Sequence, residues 1–230
     1  MKIGILQTGR SPDELRAKHG DYNEMFVRLL SRSDIAFDTY PVLDDRFPEK
    51  TADADAWVVT GSRCGVYDGF PWIARLEAFL REVHAARVPL VGVCFGHQAI
   101  AEALGGKVEK FSGGWSCGLV EYRMAGRSAP APLHAWHQDQ VVAPPPGAET
   151  IAETDFCRYA GLRIGDRTLT LQPHPEFDAA YVRALAIAKA DIVGEKVAAE
   201  AVDSLTHGKA DDFGPYILDF IDTGLAAGRG

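Results

Sequence analysis

The first half of the chain alternates short apolar runs with amphipathic stretches of helical period, and few architectures accept that order. "KIGIL" (2–6), "IAFDTYPV" (35–42), "AWVVTGS" (56–62) and "PLVGVCF" (89–95) read as strands. The last is nearly all apolar, as expected of a strand covered on both faces. Between them, "DYNEMFVRLLS" (21–31) and "PWIARLEAFLREVHAAR" (71–87) read as helices. In the second, Pro71 suits a first turn and Ile73, Leu76, Phe79, Leu80 and Val83 share one face. Strands alternating with helices predict a single α/β domain with a central, mostly parallel sheet and helices on both faces. At 230 residues the chain is long enough to bury one core of ordinary size.

After Gly106 the texture changes. "WSCGLVEYRMAG", "QDQVVAPPPG", "ETIAET" and "DRTLTLQP" are strand-like pieces divided by Gly and Pro clusters. They predict an antiparallel extension of the sheet and one returning central strand, "RTLTLQ". From Phe177 the pattern is helical again to about Ser204, and a last helix starts at Gly214-Pro215. The expected division is a catalytic domain over 1–180, with a C-terminal helical extension over 181–230 packed on the same domain.

Cys94 falls where strand becomes helix, flanked by Gly92 and Gly96 as Gly-x-Cys-x-Gly. This is the cysteine form of the nucleophile elbow, and a helix N-terminus favours thiolate over thiol. In "QPHPEF", His174 and Glu176 are two apart, so in an extended segment they leave the same face. A carboxylate beside an imidazole orients a base for a nucleophile. "VVTGS" places Gly61 at the end of another strand, where its N–H and that of Phe95 could hold an oxyanion. "WHQDQV" (136–141) is a polar cluster entering a strand. Each piece alone has a bland account, as buried cysteine, surface turn or strand end; together they point to acyl transfer.

The net charge of −8 disfavours nucleic acid and anionic membrane surfaces as partners. The opening "MKIGILQTG" lacks the long apolar region of a secretory leader, and cytoplasmic residence is the expectation. Cys64, Cys94, Cys117 and Cys157 form no Cys-x-x-Cys pair and have no zinc-finger spacing, so neither a disulfide framework nor a metal site is expected.

"GVCFGHQAIAEALGG", "VVTGS", "HQDQV" and "PHPEF", in this order, resemble the class I glutamine amidotransferase domain, a flavodoxin-like fold whose members include the glutaminase part of GMP synthetase. The resemblance covers roughly residues 1–180. It implies a triad of Cys94, His174 and Glu176, an oxyanion hole at Gly61 and Phe95, and substrate contacts by Gln98, His137 and Asp139. The implied substrate is glutamine or another γ-glutamyl compound, hydrolysed through a γ-glutamyl thioester without metal or cofactor. The sequence holds no G-x-x-x-x-G-K-[ST] phosphate loop, so an ammonia acceptor would lie on a separate synthetase subunit. "KHGDYNEMF" and "HQDQV" are similar to free-standing members, among them γ-glutamyl peptidases that would act alone. A catalytically silent binding homologue is the non-enzymatic alternative, and the C-terminal helices offer a partner or homodimer surface. Cysteine hydrolases with a similar elbow but no late His-x-Glu pair fit less well.

Overall fold

The computed structural model describes residues 1–227. In chain order its elements are β1 (Lys2–Leu6), α1 (Asp13–His19), α2 (Tyr22–Leu29), β2 (Ala36–Tyr40), β3 (Ala56–Val59), α3 (Pro71–Ala85), β4 (Leu90–Val93) and α4 (Phe95–Ala103). They continue with β5 (Lys107–Lys110), β6 (Ser116–Met124), β7 (Ala131–His137), β8 (Asp139–Ala143), β9 (Ala148–Glu153), β10 (Gly161–Ile164) and β11 (Thr168–Leu171). The chain then runs through α5 (Ala179–Ala188), α6 (Ala190–Val193), α7 (Glu195–Ser204) and α8 (Gly214–Ala226).

Nine strands form one sheet in the order β2-β1-β3-β4-β11-β10-β9-β6-β7, and β5 pairs with β8 in a small second sheet. β2, β1, β3, β4 and β11 run parallel, and β10, β9, β6 and β7 follow as an antiparallel extension. The parallel half has the flavodoxin-like order, with the late strand β11 taking the fifth place. Its interior strands β3, β4 and β11 are buried at every residue; β3 and β4 read as apolar runs for that reason, while β11 buries Thr168 and Thr170 among its leucines.

Alternation along those strands feeds two cores. Ile3, Ile5, Val58 and Val91 join Phe26 of α2 and Ile217 and Ile221 of α8 on one face. Leu6, Trp57, Val59 and Leu90 join Leu76 and Leu80 of α3 and Ile100 of α4 on the other. α3 begins on Pro71 and buries the five apolar residues expected of it. α2 begins with a capping box in which Asp21 and Glu24 satisfy each other's backbone N–H groups. α1, β5, β7 and β10 are elements the sequence pattern did not announce, and β8, expected in the extension of the main sheet, pairs instead with β5 in the small second sheet. Among the described residues, no helix is long and apolar enough to cross a membrane.

Candidate active site

Sheet order brings three loops together. β3, β4 and β11 are neighbours, so the segments leaving their C-terminal ends, at Gly61, Cys94 and His174, meet in one crevice. Cys94 follows β4 and caps α4 with φ 52 and ψ −105, a left-handed backbone that disfavours a side chain. Its N–H is tied to the Leu171 carbonyl at 2.8 Å, which fixes the turn to β11. The flanking glycines supply space. A Cβ on Gly92 would sit 2.5 Å from the Gly96 carbonyl oxygen, and one on Gly96 would sit 2.4 Å from the Val59 carbonyl oxygen. The strain of the turn is therefore carried by the cysteine, and the two glycines let helix and strands close around it.

His174 and Glu176 are both buried, with the imidazole Nδ1 2.7 Å from Glu176 Oε1. Nδ1 donates to the carboxylate, which turns Nε2 away from it; Nε2 has no hydrogen-bond partner among the described residues. Burial pulls the imidazole toward the neutral form, but the charges of Glu176 and Cys94 outweigh it and lift its pKa to about 10. Phe177 stacks flat on the ring, with centroids 4.0 Å apart and planes 4° from parallel. Tyr181 meets Phe177 edge-on at 4.6 Å and Tyr22 lies against it at 5.9 Å.

Gly61 faces both groups. A Cβ there would lie 3.1 Å from His174 Cε1 and 3.7 Å from Cys94 Cβ. Its carbonyl is turned inward to the hydroxyls of Thr8 and Thr60, at 3.0 and 3.1 Å. The N–H groups of Gly61 and Phe95 donate to no group among the described residues. Cys94 Sγ lies 3.9 Å from the Trp136 carbonyl oxygen.

The remaining expected residues form a polar brace beside this centre, with Gln98 and His137 buried and Asp139 partly exposed. Gln98 donates through Nε2 to the Asp139 carbonyl at 3.0 Å and to Gln172 Oε1 at 3.1 Å, tying α4 to β8 and to the end of β11. His137 Nδ1 donates to the same Asp139 carbonyl at 3.3 Å, and burial pushes this imidazole down to about 3, so it is neutral. The Asp139 carboxylate accepts from the Tyr67 hydroxyl at 2.8 Å. His97, next to the elbow in sequence, is fully buried with Nδ1 2.8 Å from Thr170 Oγ1, and burial with the neighbouring His137 holds it near 3. It serves the core.

Sequence reasoning did not single out Phe177, Tyr67 or the Trp136 carbonyl. Phe177 stood in "PHPEF" without an assigned job, and Tyr67 stood in "SRCGVYD"; the spacing of neither announces its partner. Among the described residues there is no cluster of three or more His, Cys, Asp or Glu able to hold a metal ion.

Residues 19–183 match the model of the glutamine amidotransferase class-I family. The chain belongs to this family. It is 34% identical to the glutamine-hydrolyzing GMP synthase subunit of Halobacterium salinarum, over 69% of this chain and 85% of that protein. It is 24% identical to gamma-glutamyl peptidase 2 of Arabidopsis thaliana, over 91% of this chain and 90% of that one. A solved glutamine amidotransferase from Methylobacillus flagellatus superposes with a TM-score of 0.74 at 20% identity, covering 97% of this chain and 94% of that one. The amidotransferase-class fold expected from the motifs is thus the fold observed.

Proposed function

We propose that this amidotransferase-family chain hydrolyses γ-glutamyl amides through a covalent thioester on Cys94. The observation that carries the reading is the convergence at Gly61, whose Cβ position lies within 4 Å of both Cys94 and His174 while its own N–H stays free. In the proposed reaction the Cys94 thiolate adds to the amide carbonyl, forming a C–S bond. The resulting oxyanion accepts from the N–H groups of Gly61 and Phe95. As the C–N bond breaks, His174 Nε2 gives its proton to the departing amine. Water then attacks the thioester, His174 takes its proton, and glutamate leaves with the thiolate restored. Glu176 holds the ring in the tautomer that both steps need. Gln98, His137 and Asp139 shape the wall that receives the glutamyl end, and no metal takes part.

Within this reading, a self-sufficient γ-glutamyl peptidase is the alternative to a glutaminase serving a separate synthetase subunit, since the chain is similar to relatives named as each. The test is glutamate release by wild type and Cys94→Ala from glutamine and from a series of γ-glutamyl dipeptides. Cys94-dependent glutamate release is the expected result. Turnover of dipeptides well above glutamine would assign a self-sufficient peptidase, slow release from glutamine alone would assign a glutaminase with a partner subunit, and no Cys94-dependent release from any of them would overturn the enzymatic reading.

A further inference from the structure

β7 carries a buried histidine that none of the steps above uses. The backbone carbonyl of His134 accepts the His174 N–H at 2.8 Å, an isolated antiparallel bridge between β7 and the loop after β11. Its side chain reaches the same loop three residues further on, where Nδ1 lies 2.9 Å from the Phe177 carbonyl oxygen. A carbonyl only accepts, so Nδ1 carries the proton. One residue thus grips the His-Pro-Glu-Phe turn at both ends, and the ring fixed at the far end is the one stacked on His174.

The remaining contacts explain why this grip matters. Glu176 holds His174 at a single atom, which leaves the imidazole free to rotate about that bond and to slide in its own plane. The Phe177 ring blocks rotation out of plane, and Tyr181 and Tyr22 back the Phe177 ring in turn. The backbone position of Phe177 is set by its hydrogen bond to His134. Burial keeps the His134 imidazole toward its neutral form, and the neighbouring His174 charge adds to this, so the donor at Nδ1 is kept without a second cation beside the base.

We propose that His134 is a positioning residue: its Nδ1–H bond to the Phe177 carbonyl fixes the ring on which His174 rests, and thereby sets the separation of His174 from Cys94. The inference rests on reading Cys94 and His174 as nucleophile and base.

Three substitutions separate this role from simple packing. His134→Asn places an amide N–H where Nδ1 stands; His134→Gln carries its amide one bond too far, and His134→Leu fills the space without a donor. The first readout is alkylation of Cys94 by iodoacetamide at about pH 6, followed on the Cys94 peptide by mass spectrometry. It needs no substrate and reports how well the imidazole supports the thiolate. The second is the kcat and KM split for glutamate release. With thermal unfolding showing the variants folded, His134→Leu and His134→Gln should slow alkylation and kcat by about tenfold with little change in KM, the scale of a sub-ångström displacement of the base. His134→Asn should stay within about twofold of wild type, because the donor is retained, and Phe177→Leu should reproduce the loss.

Alkylation at the wild-type rate in folded His134→Leu, or equal slowing by Asn and Gln, overturns the proposal. If His134→Leu does not fold, the comparison of Asn with Gln decides. A wild-type protein that releases no glutamate would sink the hydrolase reading, while the alkylation series would still decide whether His134 positions the base.

Discussion

Gly61→Ala isolates the geometry on which the site depends. The glycine has no positive φ, so alanine is compatible with its backbone and the free N–H is kept. What changes is the methyl group. It would stand 3.1 Å from His174 Cε1 and 3.7 Å from Cys94 Cβ, whereas unstrained carbon contacts lie at about 3.5–4.0 Å. Something must give by about half an ångström. The imidazole is held by Glu176 at 2.7 Å and by the Phe177 ring at 4.0 Å, and the backbone N–H of the same residue is tied to the His134 carbonyl at 2.8 Å. The displacement therefore falls on the Cys94–His174 separation or on the loop that carries position 61. A misplacement of about 1 Å in a reacting pair costs on the order of a hundredfold in rate, so kcat should fall roughly tenfold or more. Overpacking of this size costs about 1–3 kcal/mol, so the variant should remain folded. The assay is glutamate release beside a thermal melt. Activity within twofold of wild type in a folded protein would mean that the nucleophile and base are not packed across Gly61 during turnover.

Three further outcomes follow from the same geometry. In Glu176→Gln the larger of the two charges opposing burial is gone, so the His174 pKa should fall and kcat fall by about 10²–10⁴. The raised folded-state pKa of His174, from 6.5 to about 10, makes its contribution to stability fully present below about pH 6.5 and lost as pH rises toward about 10. Denaturation of wild type at these two ends should show a loss on the order of a few kcal/mol that is smaller in Glu176→Gln; equal losses would refute the assignment. Cys94→Gly should unfold at a higher temperature than Cys94→Ala, by about 1 kcal/mol of relieved strain after the entropic cost of glycine, because φ 52 suits only the former. An alanine variant as stable as the glycine one would show that the turn relaxes without strain. Gly96→Ala would drive a methyl to 2.4 Å from the Val59 carbonyl oxygen and should lose about 3 kcal/mol or more in a melt, and a loss under about 1 kcal/mol would mean α4 shifts freely over β3.

The sequence reading succeeded where a residue's surroundings are dictated by period and failed where they depend on which strands become neighbours. The strands β3 and β4 and the helix α3 are legible because a strand between two helical layers must be apolar at every position, and α3 shows its buried face at helical spacing. "RTLTLQ" was legible as a strand from its β-branched and apolar residues between turn signals, and its placement beside β4 carries His174 to Cys94 across 80 residues of chain. The helix α1 was hidden because its seven residues bury only Leu15, too little to print a face. Gln98 shows the other limit. Its spacing from Cys94 places it one turn along α4, which is where it is found, yet its amide is taken up by Asp139 and Gln172, partners from β8 and the end of β11 that no local pattern couples to α4. His134 is the extreme case, a histidine within an ordinary strand whose significance comes wholly from the bridge that β7 makes with the His174 loop. A side chain that touches substrate tends to sit inside a motif, because the local backbone must present it. One that holds such a side chain in place is chosen by the packing of distant strands, so it is found by following the hydrogen bonds of the motif outward, from His174 and Phe177 back to β7.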